Sequence, residues 1–187
     1  TEISNAGKEI NFIVPAKSLK EISNLLNDSD ENVKINIQKN FMMVEIENTK
    51  ICTRLLDGEF INYRQIIPTT FTTTVIVNKE QLENSIDKAM LFSRVDKNNL
   101  VKLEVNEKIM IVSSHSEIGE NKDNLSISLN GKELSIAFNA RYFSEALRVI
   151  GDEYIKLNFN SSISPCVITS SEGDKFTNLI LPVRITQ

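Results

Sequence analysis

The sequence predicts an α+β fold in which a β-α-β-β-β unit is repeated, with helices on one face and antiparallel sheet on the other. One pattern, a short apolar strand, a helix and an alternating strand, occurs three times in the 187 residues. A single helix with four short strands cannot bury its apolar face alone, so the units are expected to pair. Because three is an odd number, one unit is left without a partner, which suggests a portion of a longer protein.

The first strand of each unit fixes the spacing of the repeat. These strands end at Val14, Val77 and Phe138, at offsets of 63 and 61 residues. Residues suited to a helix N-cap or first helical turn follow directly. They are Pro15, Asn78 and Asn139.

The helix of each unit is amphipathic, with apolar residues at the spacing that forms one face. The predicted core faces are Leu19, Ile22 and Leu26 in the first helix, Leu82, Ile86, Ala89 and Met90 in the second, and Phe143, Leu147 and Ile150 in the third, with Tyr142, Ala146 and Val149 beside them. Segments such as 41–46 and 108–112 then alternate with the period of two that is typical of strands. A threonine-rich stretch, 68–73, separates the first unit from the others, so we predict domains at 1–70 and 71–187.

Composition and motif content argue against several classes of protein. No run approaches about 18 apolar residues, so no transmembrane helix is predicted. We expect Cys52 and Cys166, in strand-like runs, to be small buried hydrophobes rather than metal ligands or a disulfide framework. His115 is the single histidine, and no phosphate-binding loop, dinucleotide-binding motif, zinc-protease motif or serine-nucleophile turn is present. These absences favour a non-enzyme without cofactor or metal, although an enzyme with dispersed carboxylates remains an alternative.

Two features point to surfaces rather than to the core. At about 100° per residue, Leu91 lies opposite the apolar stripe of its helix and Phe92 lies outside it. Either these residues form an interface, or the helix ends there and both tuck under a loop. Proline cannot donate to a β-ladder, so Pro182 predicts an edge strand or a strand end. Leu181 and Val183 then either lie near the surface or complete the core.

Residues 53–68, TRLLDGEFINYRQIIP, closely resemble the S-R-L-[LI]-D-G-x-[FY]-P-[DN]-Y-x-x-[VI]-[IL]-P stretch of the bacterial DNA polymerase III beta subunits, the sliding clamps. Residues 178–185 and 138–143 are similar to that family's C-terminal signature and third-domain helix start. The resemblance implies the DNA-clamp fold, with residues 1–70 as the second half of the middle domain and 71–187 as the complete C-terminal domain. The chain is expected to be a truncated portion of such a protein.

The resemblance also implies a function. The family forms homodimeric rings around duplex DNA, independently of sequence, and tethers the polymerase alpha subunit, the clamp loader and other partners that carry a clamp-binding motif. It is a cytoplasmic, nucleoid-associated accessory subunit, so any polymerase activity assigned to it belongs to the holoenzyme. The alternative is a protein-interaction module that uses the same groove without DNA.

The residues that the family pattern implies form three sets. A groove for short apolar peptides is expected at Ile61, Gln65, Ile66, Asn139, Tyr142, Ile163, Pro165, Leu179, Leu181, Pro182, Val183 and Arg184. The ring interface is expected at Leu91, Phe92, Glu117 and Glu120. Lys17, Lys20, Lys88, Arg141 and Arg148 are expected to face DNA, on helices that also carry Lys79 and Arg94 and a slightly smaller number of acids. Helices with mixed charge that are simply solvated remain the alternative for this last set, since the net charge of the chain is -4.

Overall fold

The computed structural model describes residues 11–26, 32–93, 99–117, 119–173 and 175–184. The chain divides into two units, Thr1–Asn62 and Tyr63–Gln187. This division lies earlier than the predicted boundary at residue 70. The threonine-rich stretch is tied to the second unit, because the Thr72 N–H donates to the Phe159 carbonyl oxygen at 3.1 Å and the Asn160 amide donates to the Thr70 carbonyl oxygen at 3.0 Å.

The first unit is a helix followed by a three-stranded antiparallel sheet of order β1-β2-β3. Its elements are α1 (Ala16–Leu25), β1 (Lys34–Ile37), β2 (Phe41–Ile46) and β3 (Thr49–Arg54). The strand predicted before α1 is present only as an isolated bridge between Ile13 and Leu56. The first repeat therefore keeps the order of the pattern but forms a smaller structure than the other two.

The core of the first unit is small. Among the described residues it consists of Ile22, Met42, Val44 and Leu55, with four half-buried neighbours. The prediction that Leu19 and Leu26 face this core is wrong, since both are exposed. Three short strands offer too little apolar surface to cover more than one turn of α1.

The second unit contains the pattern twice. Its elements are α2 (Tyr63–Ile66), β4 (Thr73–Asn78), α3 (Lys79–Ser93), β5 (Leu100–Val105), β6 (Ile109–Ser116), β7 (Gly119–Gly131), β8 (Leu134–Asn139), α4 (Ala140–Arg148), β9 (Tyr154–Phe159), β10 (Cys166–Ser170) and β11 (Thr177–Ile180). The strands are hydrogen-bonded in the order β11-β10-β9-β4-β7-β6-β5-β8, with every pairing antiparallel. The predicted α+β fold of repeated β-α-β-β-β units is confirmed here.

The two repeats of this unit exchange their first strands. Strand β4 of the first repeat pairs with β9 of the second, with Val75 opposite Leu157. In return, β8 of the second repeat pairs with β5 of the first, with Leu103 opposite Ile136. Each repeat thus completes a sheet of the other.

The last strands of the two repeats differ. Strand β7 is long: residues 119–126 pair with β6, and residues 127–131 continue on to β4. The equivalent strand β11 ends at Ile180, and beyond it the Val183 N–H donates to the Ala137 carbonyl oxygen of β8 at 2.8 Å. Pro182, which has no N–H, lies in the segment after β11. In the first repeat, the equivalent segment is the second half of β7, where the ladder continues.

The helices α3 and α4 pack against each other, and α3 also covers β5, β6 and β7. Both have the predicted caps: the Asn78 side chain accepts from the Gln81 N–H at 3.0 Å, and the Asn139 side chain accepts from the Arg141 N–H at 3.0 Å. The predicted faces are buried at Leu82, Ile86, Ala89, Phe143, Leu147 and Ile150, while Met90 is half-buried against the core.

The two cysteines lie in different environments. Cys166 is buried in β10, and this burial raises the pKa of its thiol well above the ordinary value, against a smaller lowering by a hydrogen bond from the Asn158 backbone. The expected burial of Cys52 is wrong, because it lies on the exposed face of β3 with Lys50 and Arg54.

Replacing Leu147 by alanine should lower the free energy of unfolding by about 2–5 kcal/mol, because this fully buried side chain would leave a cavity against α3 and the sheets. Val149, the C-cap residue of the same helix and 77% exposed, is the matched control, and its replacement should change stability by about 0.5 kcal/mol or less. Urea unfolding followed by circular dichroism measures both, and similar effects would contradict the assigned helix face.

In the native protein, a thiol-specific reagent should modify Cys52 rapidly and leave Cys166 unmodified, because Cys52 is exposed to the reagent, whereas burial shields Cys166 and raises the pKa of its thiol. Mass spectrometry should show one modification in the native state and two in denaturant. Equal rates at both cysteines in the native state would contradict the placement of β10 in the core.

Candidate functional site

A cleft of about 530 Å³ lies between the exposed side of α4 and the segment that follows β10. It is lined by Asn139, Tyr142, Ala146, Asn178, Leu179, Ile180, Leu181, Pro182 and Val183. The structure therefore brings together six of the predicted groove residues, from two stretches that are distant in sequence. Most of the lining is apolar, with amide groups from Asn139 and Asn178.

The walls of this cleft are positioned by backbone hydrogen bonds. The N-cap at Asn139 fixes the first turn of α4 and with it Tyr142, whose N–H also donates to the cap at 3.4 Å. On the opposite wall, the bond from Val183 to Ala137 holds the tail against β8. Tyr142 and Leu181 are 63% and 67% exposed, so both present apolar surface to a ligand. An open apolar cleft with a few amides suits aliphatic and aromatic side chains of an extended peptide.

The other predicted groove residues do not line this cleft. Gln65 and Ile66 lie on α2, and Ile163 and Pro165 lie between β9 and β10. Arg184 is exposed beyond the lining of the tail, and Ile61 belongs to the first unit.

Three lining residues were missed: Ala146, Asn178 and Ile180. Ala146 could have been found from the sequence, because it lies one helical turn after Tyr142 on the same side of α4. Asn178 is the first residue of the recognised C-terminal stretch, 178–185, but no local signal marks it as a lining residue.

The end of α3 forms a second exposed apolar site. The helix continues to Ser93, and Leu91 is 61% exposed, so it does not tuck under a loop. The ring of Phe92 is half-buried and lies against Gly119 at the start of β7. Glu117 and Glu120, on either side of this glycine, are exposed. The structure thus brings the four predicted interface residues to one edge.

The backbone edge of β7 lies beside this site. Residues 119–126 pair with β6 on one side, whereas pairing with β4 on the other side begins only at Ile127. Among the described strands, nothing pairs with the second edge of the first half of β7. An unpaired edge next to exposed apolar side chains is a template for strand addition from another chain.

Charged groups cover the exposed side of α3 and α4 in ion pairs. Lys88 lies 3.1 Å from Asp123, Arg141 lies 3.0 Å from Glu145, and Arg148 lies 3.9 Å from Asp87. In the first unit, Lys17 and Lys20 are exposed on α1, with no carboxylate within 4 Å in the described part of the chain. Arg94 lies outside the described residues.

Groups typical of catalysis are dispersed. His115 is exposed on β6, opposite Glu120 of β7. In the ranges that the structure describes, no three or more histidine, cysteine, aspartate or glutamate side chains form a group that could hold a metal ion. None of the helices described here is both long and apolar enough to span a membrane.

Comparison with known families identifies both units. Residues 64–184 match the profile of the DNA polymerase III beta subunit, C-terminal domain, and residues 1–62 match the profile of its central domain. Among curated relatives, the beta sliding clamp of Bacillus subtilis is 34% identical over 180 residues, covering 95% of this chain and 48% of the relative. That of Staphylococcus epidermidis is 29% identical over 185 residues, covering 98% and 49%.

Solved structures agree with these matches. The DNA polymerase III beta chain of Streptococcus pneumoniae superposes with a TM-score of 0.87 at 29% identity, covering 99% of this chain and 50% of that one. The sliding clamp of Bacillus subtilis gives a TM-score of 0.85 at 33% identity, covering 95% and 47%. The chain spans about half the length of the relatives it matches. With two adjacent domain profiles matched in order along the sequence, the chain belongs to the DNA polymerase III beta subunit family.

Proposed function

We propose that this chain acts as part of a sliding clamp, a ring that encircles duplex DNA without reading its sequence and tethers the replicative polymerase. The observation that carries the proposal is the apolar cleft between α4 and the C-terminal tail, in a domain of the beta subunit family. The clamp is an accessory subunit and performs no reaction itself. Its place of action is the cytoplasm, at the nucleoid.

The cleft is proposed to bind short apolar peptide motifs of the polymerase alpha subunit, the clamp loader and other clamp-binding proteins. Leu179, Leu181 and Val183 supply aliphatic surface, and Tyr142 supplies an aromatic wall. Asn139 and Asn178 both line the cleft, and the amide of Asn178 can hydrogen-bond to peptide backbone. The exposed fractions of Tyr142 and Leu181 leave apolar area for a ligand to bury.

The edge formed by Leu91, Phe92 and the first half of β7 is proposed as the ring interface of a homodimer in the full-length protein. Strand addition to the free β7 edge would satisfy backbone groups, while Leu91 would be buried against the partner. Glu117 and Glu120 would add charge complementarity to basic groups of the partner, which mainly fixes register and association rate.

A second candidate function is a protein-interaction module that uses the same cleft without DNA. The ion pairs on α3 and α4 favour it, because they leave little free positive charge on that face. The two functions differ in topology: a clamp stays on closed circular DNA and slides off linear DNA, whereas an interaction module is retained on neither.

Titration of a fluorescent peptide of the Gln-Leu-x-Leu-Phe type tests the cleft. Replacing Leu181 by aspartate should weaken binding by about tenfold or more, because an apolar ligand side chain would then desolvate a carboxylate. Ile109→Asp adds the same charge to an exposed apolar residue outside the cleft and should leave the affinity unchanged. Equal affinities of the wild type and Leu181→Asp would mean that the peptide binds elsewhere.

Ring closure is tested in a protein that has the family's whole length. Leu91→Ala should shift the dimer towards monomer at low protein concentration and shorten retention on closed circular DNA, because the interface loses a buried aliphatic group. Sedimentation velocity measures the first effect. Tyr154→Ala, an exposed apolar residue on β9 outside this edge, is the control. Unchanged dimer stability in Leu91→Ala would contradict the interface.

A further inference from the structure

The basic residues of α3 and α4 that are proposed to face DNA already form ion pairs with carboxylates of the same protein. Arg141, Glu145 and Arg148 stand at i, i+4 and i+7 on α4, so they share one side of the helix. Arg141 pairs with Glu145 within that stripe. Arg148 and Lys88 are paired with acids of other elements, so three cations meet three anions on this face.

The carboxylates are held in place by the fold. Asp87 on α3 accepts a hydrogen bond from the Ser144 hydroxyl of α4 at 3.0 Å, which fixes it at the seam between the helices, next to Arg148. Asp123 is anchored on β7, and its side chain is 24% exposed, whereas that of Lys88 is 58% exposed. Because Asp123 is anchored and less exposed than Lys88, the ion pair holds the Lys88 ammonium group at this surface.

Such pairing changes how the face can interact with a phosphate backbone. A protein cation strengthens DNA binding by replacing a condensed counterion, and each such contact gives a slope of about -0.9 in the salt dependence of the affinity. A lysine or arginine that keeps its carboxylate contributes no net charge, so it replaces no counterion. To engage a phosphate fully, Lys88 would have to leave Asp123.

We propose that Asp87, Asp123 and Glu145 limit the affinity of the α3–α4 face for the phosphates of duplex DNA, by holding Arg148, Lys88 and Arg141 in ion pairs. The inference rests on the proposed function, since it takes duplex DNA as the ligand. In this proposal, the three acids weaken the contacts between the α3–α4 face and the DNA phosphates. A face of near-zero net charge allows the protein to move along DNA, where unpaired cations would hold it in place.

Asp123→Asn is the sharpest test, because the isosteric amide removes the charge, and Lys88 is the only ion-pair partner of Asp123 in the described part of the chain. Fluorescence anisotropy with a short duplex of random sequence should show binding tightened about tenfold near 50 mM salt and about threefold near 200 mM, as one added phosphate contact requires. The plot of log affinity against log salt should steepen by about 0.9. Glu145→Gln, on the exposed side of α4, should give the same direction of change.

Two controls separate a local effect from one of net charge. Glu172→Gln in the turn after β10 removes the same charge from an exposed carboxylate that has no ion-pair partner among the described residues, and it should leave the affinity unchanged. In the Lys88→Ala background, Asp123→Asn should lose most of its effect, because no cation is then released. A gain that persists without Lys88, or that Glu172→Gln reproduces, would overturn the proposal.

The same titrations distinguish this inference from the clamp function. If Lys88→Ala weakens DNA binding and Asp123→Asn leaves it unchanged, the acids do not limit affinity, while the DNA-facing role of the helices stands. If neither the wild type nor any of the variants binds the linear duplex at low salt, this inference is wrong, whereas the clamp function is decided by retention on closed circular DNA.

Discussion

The exchange of first strands between the two repeats of the second unit is the constraint on which the rest of that unit depends. Strand β4 completes the sheet that contains β9, and β8 completes the sheet that contains β5. Neither repeat can form its sheet alone, so the two fold as one body. This pairing also brings α3 and α4 side by side over a continuous core, in which Phe138 and Phe143 meet edge to face with ring centroids 5.2 Å apart. The core faces and the paired charges of the two helices take their positions from this arrangement.

The candidate groove exists because the symmetry of the two repeats is broken at one residue. In the first repeat, β7 passes from β6 to β4 without interruption. In the second, Pro182 removes a donor from the corresponding strand, and the chain leaves the ladder after Ile180. The tail is then held to β8 at Val183 and, together with α4, lines an open cleft. A residue that is unfavourable for a sheet thus lies in the wall of the cleft.

The helices, their caps and the repeat could be predicted from local features of the sequence. Contacts between residues that are distant in sequence could not. Asn78 and Asn139 cap helices through bonds to residues two or three positions away, so their role can be read from neighbouring residues. Leu19 and Leu26 have the correct spacing for a core face, but burial also requires a surface on the opposite side, which spacing cannot show. The partners of Lys88 and Arg148 are 35 and 61 residues away in sequence, so only the fold shows that these cations are paired. Pro182 allowed the strand end to be predicted from the sequence, because the loss of its backbone donor acts locally.

The bond between Val183 and Ala137 gives the tail a distinct dynamic character. Five residue pairs join β4 to β7, so that ladder must open as a whole. In the described residues, the tail is held to β8 by this one backbone bond. Segments with few hydrogen bonds open at lower free energy than the core, through local fluctuations that do not unfold the protein. The Val183 amide is therefore expected to exchange its hydrogen with solvent more readily than the amides of β7 that are bonded to β4. A ligand that braces this wall slows that exchange, so occupancy of the cleft is reported by a single backbone proton.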